Sequence, residues 1–197
     1  MKNIILIGYR CTGKTSVGEK LSERFGLPFF DTDDLIVEQA GMSISKIVEK
    51  GGWDLFRKKE QETIRGLSSM NKSVIATGGG AFENHESEEA LKRNGLFVWL
   101  TADVKTITER VLADQNSPGR RPSLSSNDLE TETSLILKKR EPVYRELADI
   151  TIDTSERNID SIADEICNFL KKQGGLSKTK SSTTRSNHVR KYNRNDI

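Results

Sequence analysis

The stretch Gly8-Tyr9-Arg10-Cys11-Thr12-Gly13-Lys14-Thr15 directly follows the apolar run Ile4-Ile5-Leu6-Ile7. It fits G-x-x-x-x-G-K-[ST], the phosphate-binding loop of enzymes that use nucleoside triphosphates. In such a loop the backbone N–H groups point inward and cradle phosphate oxygens. A β-branched strand before the loop and a helical pattern after it supply the context that the motif requires. The sequence therefore predicts a strand–loop–helix unit that holds a nucleoside triphosphate.

Two residues of the loop have separate predicted roles. Lys14 would reach the β- and γ-phosphates, and Thr15 would offer its hydroxyl to Mg²⁺. The other expected nucleotide contacts of this segment are Arg10, Cys11, Thr12, Gly13 and Ser16. The alternative is a glycine turn that happens to contain Lys-Thr, and the strand and helix on either side argue against it.

Short apolar runs rich in β-branched and aromatic residues alternate with helical patterns along the chain. The expected strands span residues 3–7, 28–30, 73–77, 96–100 and 149–153. The expected helices span residues 15–25, 33–40, 43–50, 54–68, 86–94, 104–115, 130–148 and 159–172. This alternation predicts an α/β fold whose parallel sheet is covered on both faces, with right-handed crossovers. Ligands of such sheets bind beyond the carboxyl ends of the strands, so the residues after each strand are the candidates for chemistry.

Charge is distributed unevenly along the 197 residues. Residues 176–197 contain six basic residues and one acidic residue, which gives +5, whereas residues 1–175 carry −3. We expect one folded domain over 1–175 and a disordered basic tail over 176–197, because the tail has too few large apolar groups to fold. The mildly acidic domain is not typical of a nucleic-acid binder, so no nucleic-acid partner is expected. A binding role of the tail toward nucleic acid or an acidic partner stays open.

The two cysteines, Cys11 and Cys167, lie too far apart in sequence to suggest a metal knuckle. They are typical of a reduced, cytoplasmic protein. The first apolar run lacks the length and cleavage site of a signal peptide, and no apolar run approaches the ~20 residues of a membrane span. We expect a cytoplasmic monomer with no membrane partner.

Acidic residues follow the second expected strand, in Asp31-Thr32-Asp33-Asp34. We expect Asp33 or Asp34 to cap the next helix. Two carboxylates at positions i and i+2 would both face the cleft, one acting through Mg²⁺ and its waters and the other on a substrate hydroxyl. Gly78-Gly79-Gly80 follows the third strand, where other phosphate-loop enzymes carry an Asp of the second nucleotide motif. Since no acid stands there, Mg²⁺ would rely on Thr15, the nucleotide, water and Asp31.

Two later stretches place arginines where they could act on a ligand. Residues 115–122 read Gln-Asn-Ser-Pro-Gly-Arg-Arg-Pro, a composition that fits a mobile lid carrying Arg120 and Arg121. A solvated loop is the alternative. Arg140 lies within a helical pattern, and an isolated arginine of this kind is usually a surface residue.

Taken together, these pieces resemble the shikimate kinase family over residues 2–170. The matching motifs are Gly8–Thr15, Asp31-Thr32-Asp33, Phe56-Arg57 with Glu60, Gly78–Ala81, Arg121-Pro122, and Lys139-Arg140 with Pro142 and Tyr144. The resemblance implies a fold like that of nucleoside monophosphate kinases, with a five-stranded parallel sheet in the order 2-3-1-4-5. It also implies ATP- and Mg²⁺-dependent phosphorylation of the 3-hydroxyl of shikimate, in chorismate and aromatic amino-acid biosynthesis.

The resemblance also implies roles for single residues. Asp33 would orient the shikimate hydroxyls and accept the proton, and Arg57 and Arg140 would hold the carboxylate. A planar, permanently charged guanidinium suits that task. Gly79 and Gly80 would donate backbone N–H groups to shikimate. The remaining implied roles are phosphate contact by Arg121 and adenine contact by Arg110 and Arg157.

The chain departs from the family pattern in two places. Cys11 replaces a glycine that the family often has inside the loop, and Trp53 stands where many relatives have an acid. The first departure leaves the minimal loop pattern intact, and the second would alter the mouth of the substrate pocket.

Two other functions compete with this interpretation. The first is a kinase of the same fold that acts on another small molecule. Gluconate is the strongest candidate substrate, because gluconate also has a carboxylate and hydroxyls. The second is a degenerate kinase domain that only binds ligand. Loss of Lys14, Asp33 or Arg121 would mark such a domain, and all three are present.

Overall fold

The computed structural model describes residues 2–83, 85–114 and 128–173. Its strands are β1 (Asn3–Ile7), β2 (Phe29–Asp31), β3 (Val74–Ala76), β4 (Gly95–Thr101) and β5 (Ile150–Asp153). Its helices are α1 (Lys14–Phe25), α2 (Thr32–Ala40), α3 (Ile44–Ser68), α4 (His85–Lys92), α5 (Val104–Ala113), α6 (Leu129–Leu147) and α7 (Ile159–Lys172). The expected tail, residues 176–197, lies outside these ranges.

The five strands form one parallel sheet in the order β2-β3-β1-β4-β5, which confirms the expected topology. In the register of the sheet, Leu6 of β1 pairs with Ala76 of β3, and Ala76 pairs with Asp31 of β2. On the other side, Ile7 pairs with Trp99 of β4. Because all strands run the same way, their carboxyl ends share one edge of the sheet, where the loop after β1 and the acids after β2 meet.

Both faces of the sheet are buried, which explains why β1 reads as an unbroken apolar run. Ile4 and Leu6 belong to a core cluster with residues of α1 and α7. Ile5 and Ile7 point to the opposite face and pack in a second cluster with residues of α3, α4 and α6. The helices therefore form a layer on each side, and the loops at the carboxyl edge are left to line a cleft.

The break that the sequence predicted between helices over residues 43–50 and 54–68 is present as a kink within α3. Gly51 and Gly52 have non-helical backbone angles inside Ile44–Ser68, so two helical segments meet there. Gly52 has φ 69° and ψ −179°, a conformation essentially confined to glycine. After the kink, Phe56 packs in a cluster with Ile36, Ile44 and Ile47. The next residue, Arg57, lies beside Gly80, in the turn that follows β3.

No helix in the described ranges is both long enough and apolar enough to cross a bilayer. Cys11 and Cys167 are both free thiols.

Candidate active site

The loop after β1 closes around the amine of Lys14. Its Nζ donates to the carbonyls of Gly8 at 2.8 Å and Tyr9 at 2.6 Å. The buried hydroxyl of Thr12 also donates to the Tyr9 carbonyl, at 2.9 Å. These bonds hold the loop in the ring-like shape that exposes amide groups at the start of α1, the arrangement expected of a phosphate-binding loop.

Cys11 has φ 57°, in the left-handed region that favours glycine. The resemblance indicates a glycine at this place in many relatives, and the backbone here keeps the conformation that a glycine would adopt. A left-handed conformation costs a residue with a Cβ on the order of 1–2 kcal/mol. The departure at Cys11 therefore affects local strain more than loop shape.

A cleft of about 500 Å³ opens beside the loop. It is lined by every described residue that the sequence assigned to nucleotide or metal, together with Asp33 and Gly79 from the acceptor side. These residues are Arg10, Cys11, Thr12, Gly13, Lys14, Thr15, Ser16, Asp31, Asp33, Gly79, Arg110 and Arg157. Residues assigned to both ligands thus line one cleft, whereas three residues assigned to the acceptor are not among its lining: Arg57, Gly80 and Arg140.

Thr15 and Asp31 lie side by side across the carboxyl edge of the sheet. The Thr15 hydroxyl donates to Oδ2 of Asp31 at 2.8 Å. A hydroxyl and a carboxylate at this separation fit Mg²⁺, which prefers hard oxygen ligands and usually completes its shell with phosphates and water. Among the described residues no group of three or more His, Cys, Asp or Glu side chains could hold a metal by itself.

The prediction that Asp33 or Asp34 caps the N-terminus of α2 was wrong. Asp31, not Asp33 or Asp34, is the N-cap, and its Oδ1 accepts a hydrogen bond from the Asp33 amide at 3.0 Å. The reason is that α2 begins at Thr32, one residue earlier than expected, so the acid before it takes the capping position. Asp33 therefore lies in the first turn of α2 while lining the cleft.

Charged side chains pack directly over the triple glycine after β3. A Cβ at Gly78 would lie 2.2 Å from Oε1 of Glu60 and 2.9 Å from Oδ1 of Asp33. A Cβ at Gly80 would lie 2.1 Å from Nη2 of Arg57. A side chain at Gly78 or Gly80 would therefore displace Glu60 or Arg57 from its observed position, and the glycines allow these charged groups to approach the backbone closely.

Arg57 is held by a buried carboxylate one helical turn further along α3. Its Nη1 donates to Oε2 of Glu60 at 2.6 Å, and the Glu60 side chain is 1% exposed. Burial raises the pKa of Glu60 to about 7, against the opposing attraction of Arg57 and with a smaller contribution from the negative charge of Asp33. The Arg57 guanidinium also lies over the rings of Trp53 and Phe56, at 5.6 Å and 5.3 Å from their centroids. Trp53 thus takes part in orienting Arg57.

Arg140 reaches the same region from α6 and is buried, contrary to the usual surface arginine. Its guanidinium lies over the ring of Tyr9 at 5.9 Å from the centroid. Its Nη1 lies near Gly79, where an added Cβ would be 3.5 Å away. Arg57 and Arg140 therefore lie beside consecutive glycines, Gly80 and Gly79. That the two arginines hold one ligand carboxylate stays a prediction.

Helix α6 is bonded to both loops of the cleft. Glu132, which is 2% exposed, forms an ion pair with Arg10 of the phosphate loop. Tyr144 donates its hydroxyl to the carbonyl of Gly79. Burial raises the pKa of Tyr144 above its ordinary value, which keeps this hydroxyl a donor. With Arg140 between them, these contacts make one helix responsible for three parts of the site.

Arg110 and Arg157 lie at the nucleotide end of the cleft. Arg110 donates to the Cys11 carbonyl at 3.2 Å and to the Thr154 carbonyl at 2.6 Å, so it supports the phosphate loop. Arg157 pairs with Glu165 at 2.6 Å. Adenine contact by either residue stays a prediction. Arg120, Arg121 and the expected lid over residues 115–122 lie outside the described residues.

Proteins of known function resemble this chain in sequence. The family model described as shikimate kinase matches residues 10–171. A curated shikimate kinase of Syntrophus aciditrophicus (strain SB) is 46% identical, over 84% of this chain and 89% of the relative. Another, from Geobacter sulfurreducens, is 38% identical over 86% of this chain and 91% of the relative.

The chain belongs to the shikimate kinase family.

A solved structure of shikimate kinase from Acinetobacter baumannii in complex with shikimate supports this assignment at the level of fold. It aligns with a TM-score of 0.82 and 35% identity, over 88% of this chain and 94% of that one. A gluconokinase from Sinorhizobium meliloti 1021 aligns with a TM-score of 0.53 and 16% identity, which shows a shared fold alone.

Sequence reasoning missed two acids of this shikimate kinase site. Glu83 bonds to Arg140, and Glu132 bonds to Arg10. Glu83 follows the glycine turn in a segment without helical or strand periodicity, so the sequence pattern did not indicate a functional role for it. Glu132 could have been noticed only as an acid on the face of α6 that also carries Arg140, since positions eight residues apart share a helix face.

Proposed function

We propose that this chain transfers the γ-phosphoryl group of ATP to the 3-hydroxyl of shikimate and forms shikimate 3-phosphate, in the pathway to chorismate and the aromatic amino acids. The observation that carries the proposal is the single cleft lined by the phosphate loop, by Asp33 and by Gly79. The phosphate loop and two residues assigned to the acceptor, Asp33 and Gly79, line the same cleft. Arg57 and Arg140 lie beside the same glycine turn, next to Gly80 and Gly79. Membership of the shikimate kinase family supports the same reaction.

On the nucleotide side, the amides of residues 10–16 would cradle the phosphates, with Lys14 reaching the β- and γ-phosphates. Thr15 and Asp31 would hold Mg²⁺, which neutralises charge on the transferring and leaving phosphates. Arg110 and Arg157 would border the adenine. Arg121, whose role rests on the sequence motif, would contact the phosphates during transfer.

On the acceptor side, Arg57 and Arg140 would bind the shikimate carboxylate, and the amides of Gly79 and Gly80 would donate to shikimate. Asp33 would hold the 3-hydroxyl and take its proton. A bond then forms between the 3-oxygen and the γ-phosphorus, the bond from that phosphorus to the β–γ bridging oxygen breaks, and ADP leaves. Most of the catalysis comes from positioning and charge stabilisation, since phosphoryl transfer leaves little covalent chemistry to the protein.

The protein is further proposed to be a cytoplasmic monomer that acts on a small molecule without a nucleic-acid partner. The charge of −3 on residues 1–175 supports the last point, and the two free thiols support a reducing compartment.

The decisive experiment is a coupled assay of ADP formation by the full chain with shikimate, with gluconate and with neither. We expect shikimate-dependent turnover that requires Mg²⁺. Turnover with gluconate alone would favour the other small-molecule kinase, and nucleotide binding without any acceptor-dependent turnover would favour a degenerate kinase domain.

A further inference from the structure

Glu83 places a carboxylate of the protein on the arginine donors of the acceptor side. Nε and Nη2 of Arg140 both approach its Oε1, at 3.0 Å and 2.9 Å. Nε of Arg57 lies 3.8 Å from its Oε2, and Nζ of Lys139 lies 3.9 Å from its Oε1. One internal carboxylate thus spans both arginines to which the proposed function assigns the carboxylate of shikimate.

This contact differs from an ordinary surface ion pair. Arg140 has a side chain that is only 8% exposed, so its donors are largely removed from water. The Glu83 amide donates to the Gly80 carbonyl at 3.1 Å, which fixes the start of the Glu83 side chain beside the glycine turn. Burial raises the pKa of Glu83, but Arg140, Arg57 and Lys139 together lower it below its ordinary value. The side chain is therefore charged at neutral pH.

Glu83 can nevertheless leave this position. Its side chain is 34% exposed, so solvent is available to it on one side. By contrast, the Glu60 side chain is 1% exposed, so no comparable solvent is available to it. Of the two acids that pair with these arginines, Glu83 is the one whose carboxylate can be exchanged for that of a ligand.

We propose that Glu83 is an internal competitor for the acid-binding arginines, and that the carboxylate of shikimate displaces it. The inference rests on the proposed function and adds a residue that sets substrate affinity. Arg140 cannot direct the same two N–H groups at both carboxylates. The apparent affinity for shikimate is therefore reduced by the fraction of molecules in which Glu83 holds the arginines. In return, the arginines keep a charged partner when no acid is bound, which avoids leaving buried charge unpaired.

The test uses the full chain with Glu83→Gln, which keeps the shape of the side chain and removes its charge. Glu86→Gln is the matched control, because Glu86 pairs with the exposed Arg65 away from the cleft. Calorimetric titration gives the Kd for shikimate without nucleotide, and steady-state kinetics give kcat and both KM values. We expect Glu83→Gln to lower the Kd and KM for shikimate roughly 3- to 10-fold, the range for a partly exposed charge-assisted contact. The kcat and the KM for ATP should stay within about twofold, and Glu86→Gln should match the wild type.

A double-mutant cycle separates competition from a general structural effect. In an Arg140→Ala background, Glu83→Gln should change shikimate affinity by less than about twofold. The two shortest contacts of Glu83 are gone in that background, and only the longer contact with Arg57, at 3.8 Å, remains. If the wild type is active and Glu83→Gln leaves shikimate affinity unchanged or weakens it, the proposed competition is wrong. A wild type without shikimate-dependent ADP formation would instead overturn the proposed function, and this inference with it.

Discussion

Arg57 donates to Glu60 at 2.6 Å, in a pair whose acid is almost fully buried and whose base is partly exposed beside Gly80. Burial disfavours the charged carboxylate more than the attraction of Arg57 favours it, so the pKa of Glu60 rises to about 7 and the neutral form predominates below that pH. The pair therefore connects the charge state of a core residue to the orientation of a ligand-facing arginine.

Glu60 makes stability depend on pH with a definite sign. Its pKa rises from an ordinary 4.5 to about 7 on folding, so the folded state binds a proton more tightly than the unfolded state. The stabilisation is fully present below about pH 4.5 and is lost as pH rises through about 7, at most about 3 kcal/mol in all. Denaturant unfolding of wild type and Glu60→Gln from pH 4.5 to 8 should give a difference in unfolding free energy that changes over this window. Glu62→Gln, at an exposed position on the same helix, should keep the wild-type pH dependence. Parallel curves for wild type and Glu60→Gln would contradict the raised pKa.

Asp33 is expected to carry the chemistry on the acceptor side. Asp33→Asn keeps the shape of the side chain but removes its charge and basicity, so kcat should fall on the order of 10²-fold or more. Nucleotide affinity should be nearly unchanged. Asp34→Asn, one residue further along α2, is the matched control and should leave kcat close to the wild-type value. Near-normal turnover by Asp33→Asn in the coupled assay would remove Asp33 from the mechanism.

Arg57 and Arg140 should act on one ligand only. Arg57→Ala and Arg140→Ala each remove a charge-assisted contact worth about 1.5–3 kcal/mol, so shikimate affinity should weaken roughly 10- to 150-fold. ATP affinity measured without shikimate should change little. Arg65 on α3 and Lys138 on α6 are both exposed and provide alanine controls on the same helices. Equal losses for both ligands would mean that the variants have lost their fold or that the assignment is wrong.

The two cysteines should differ in reactivity. Cys11 lines the cleft and is partly exposed, whereas Cys167 is 8% exposed beneath α1. Iodoacetamide should therefore alkylate Cys11 faster, and MgATP should protect it. Peptide mapping after timed labelling measures both rates, and Cys11→Ser should abolish the fast phase. Fast labelling of Cys11 at saturating nucleotide would argue against this geometry of the loop.

Much of this architecture could be predicted because its signals are local. The loop around Lys14 is fixed by glycine spacing, and the strand runs are fixed by burial on both faces, so boundaries fell within a few residues of the structure. The break between the two segments of α3 could also be predicted, because Gly51 and Gly52 interrupt the helical pattern, and both have non-helical backbone angles. The N-cap at Asp31 was missed because three acids compete within four residues, and only the true start of the helix decides among them.

The missing parts of the site are those that depend on long-range contacts. Glu132 lies 122 residues from Arg10 in sequence, and Glu83 lies 57 residues from Arg140. No periodicity or spacing rule connects such positions, since only the tertiary fold brings them together. The sequence could identify the arginines by motif, but it could not show which acids hold them.

Helix α6 also constrains how the length of this chain can vary. Three side chains of this one helix contact three separate residues of the site. They are Glu132, Arg140 and Tyr144, at intervals of eight and four residues. An inserted or deleted residue between them would rotate everything beyond it by about 100° about the helix axis. Arg140 and Tyr144 would then face solvent or the wrong neighbours while the phosphate loop stayed in place. Insertions and deletions among relatives should therefore fall in surface loops, and the number of residues from Glu132 to Tyr144 should stay constant.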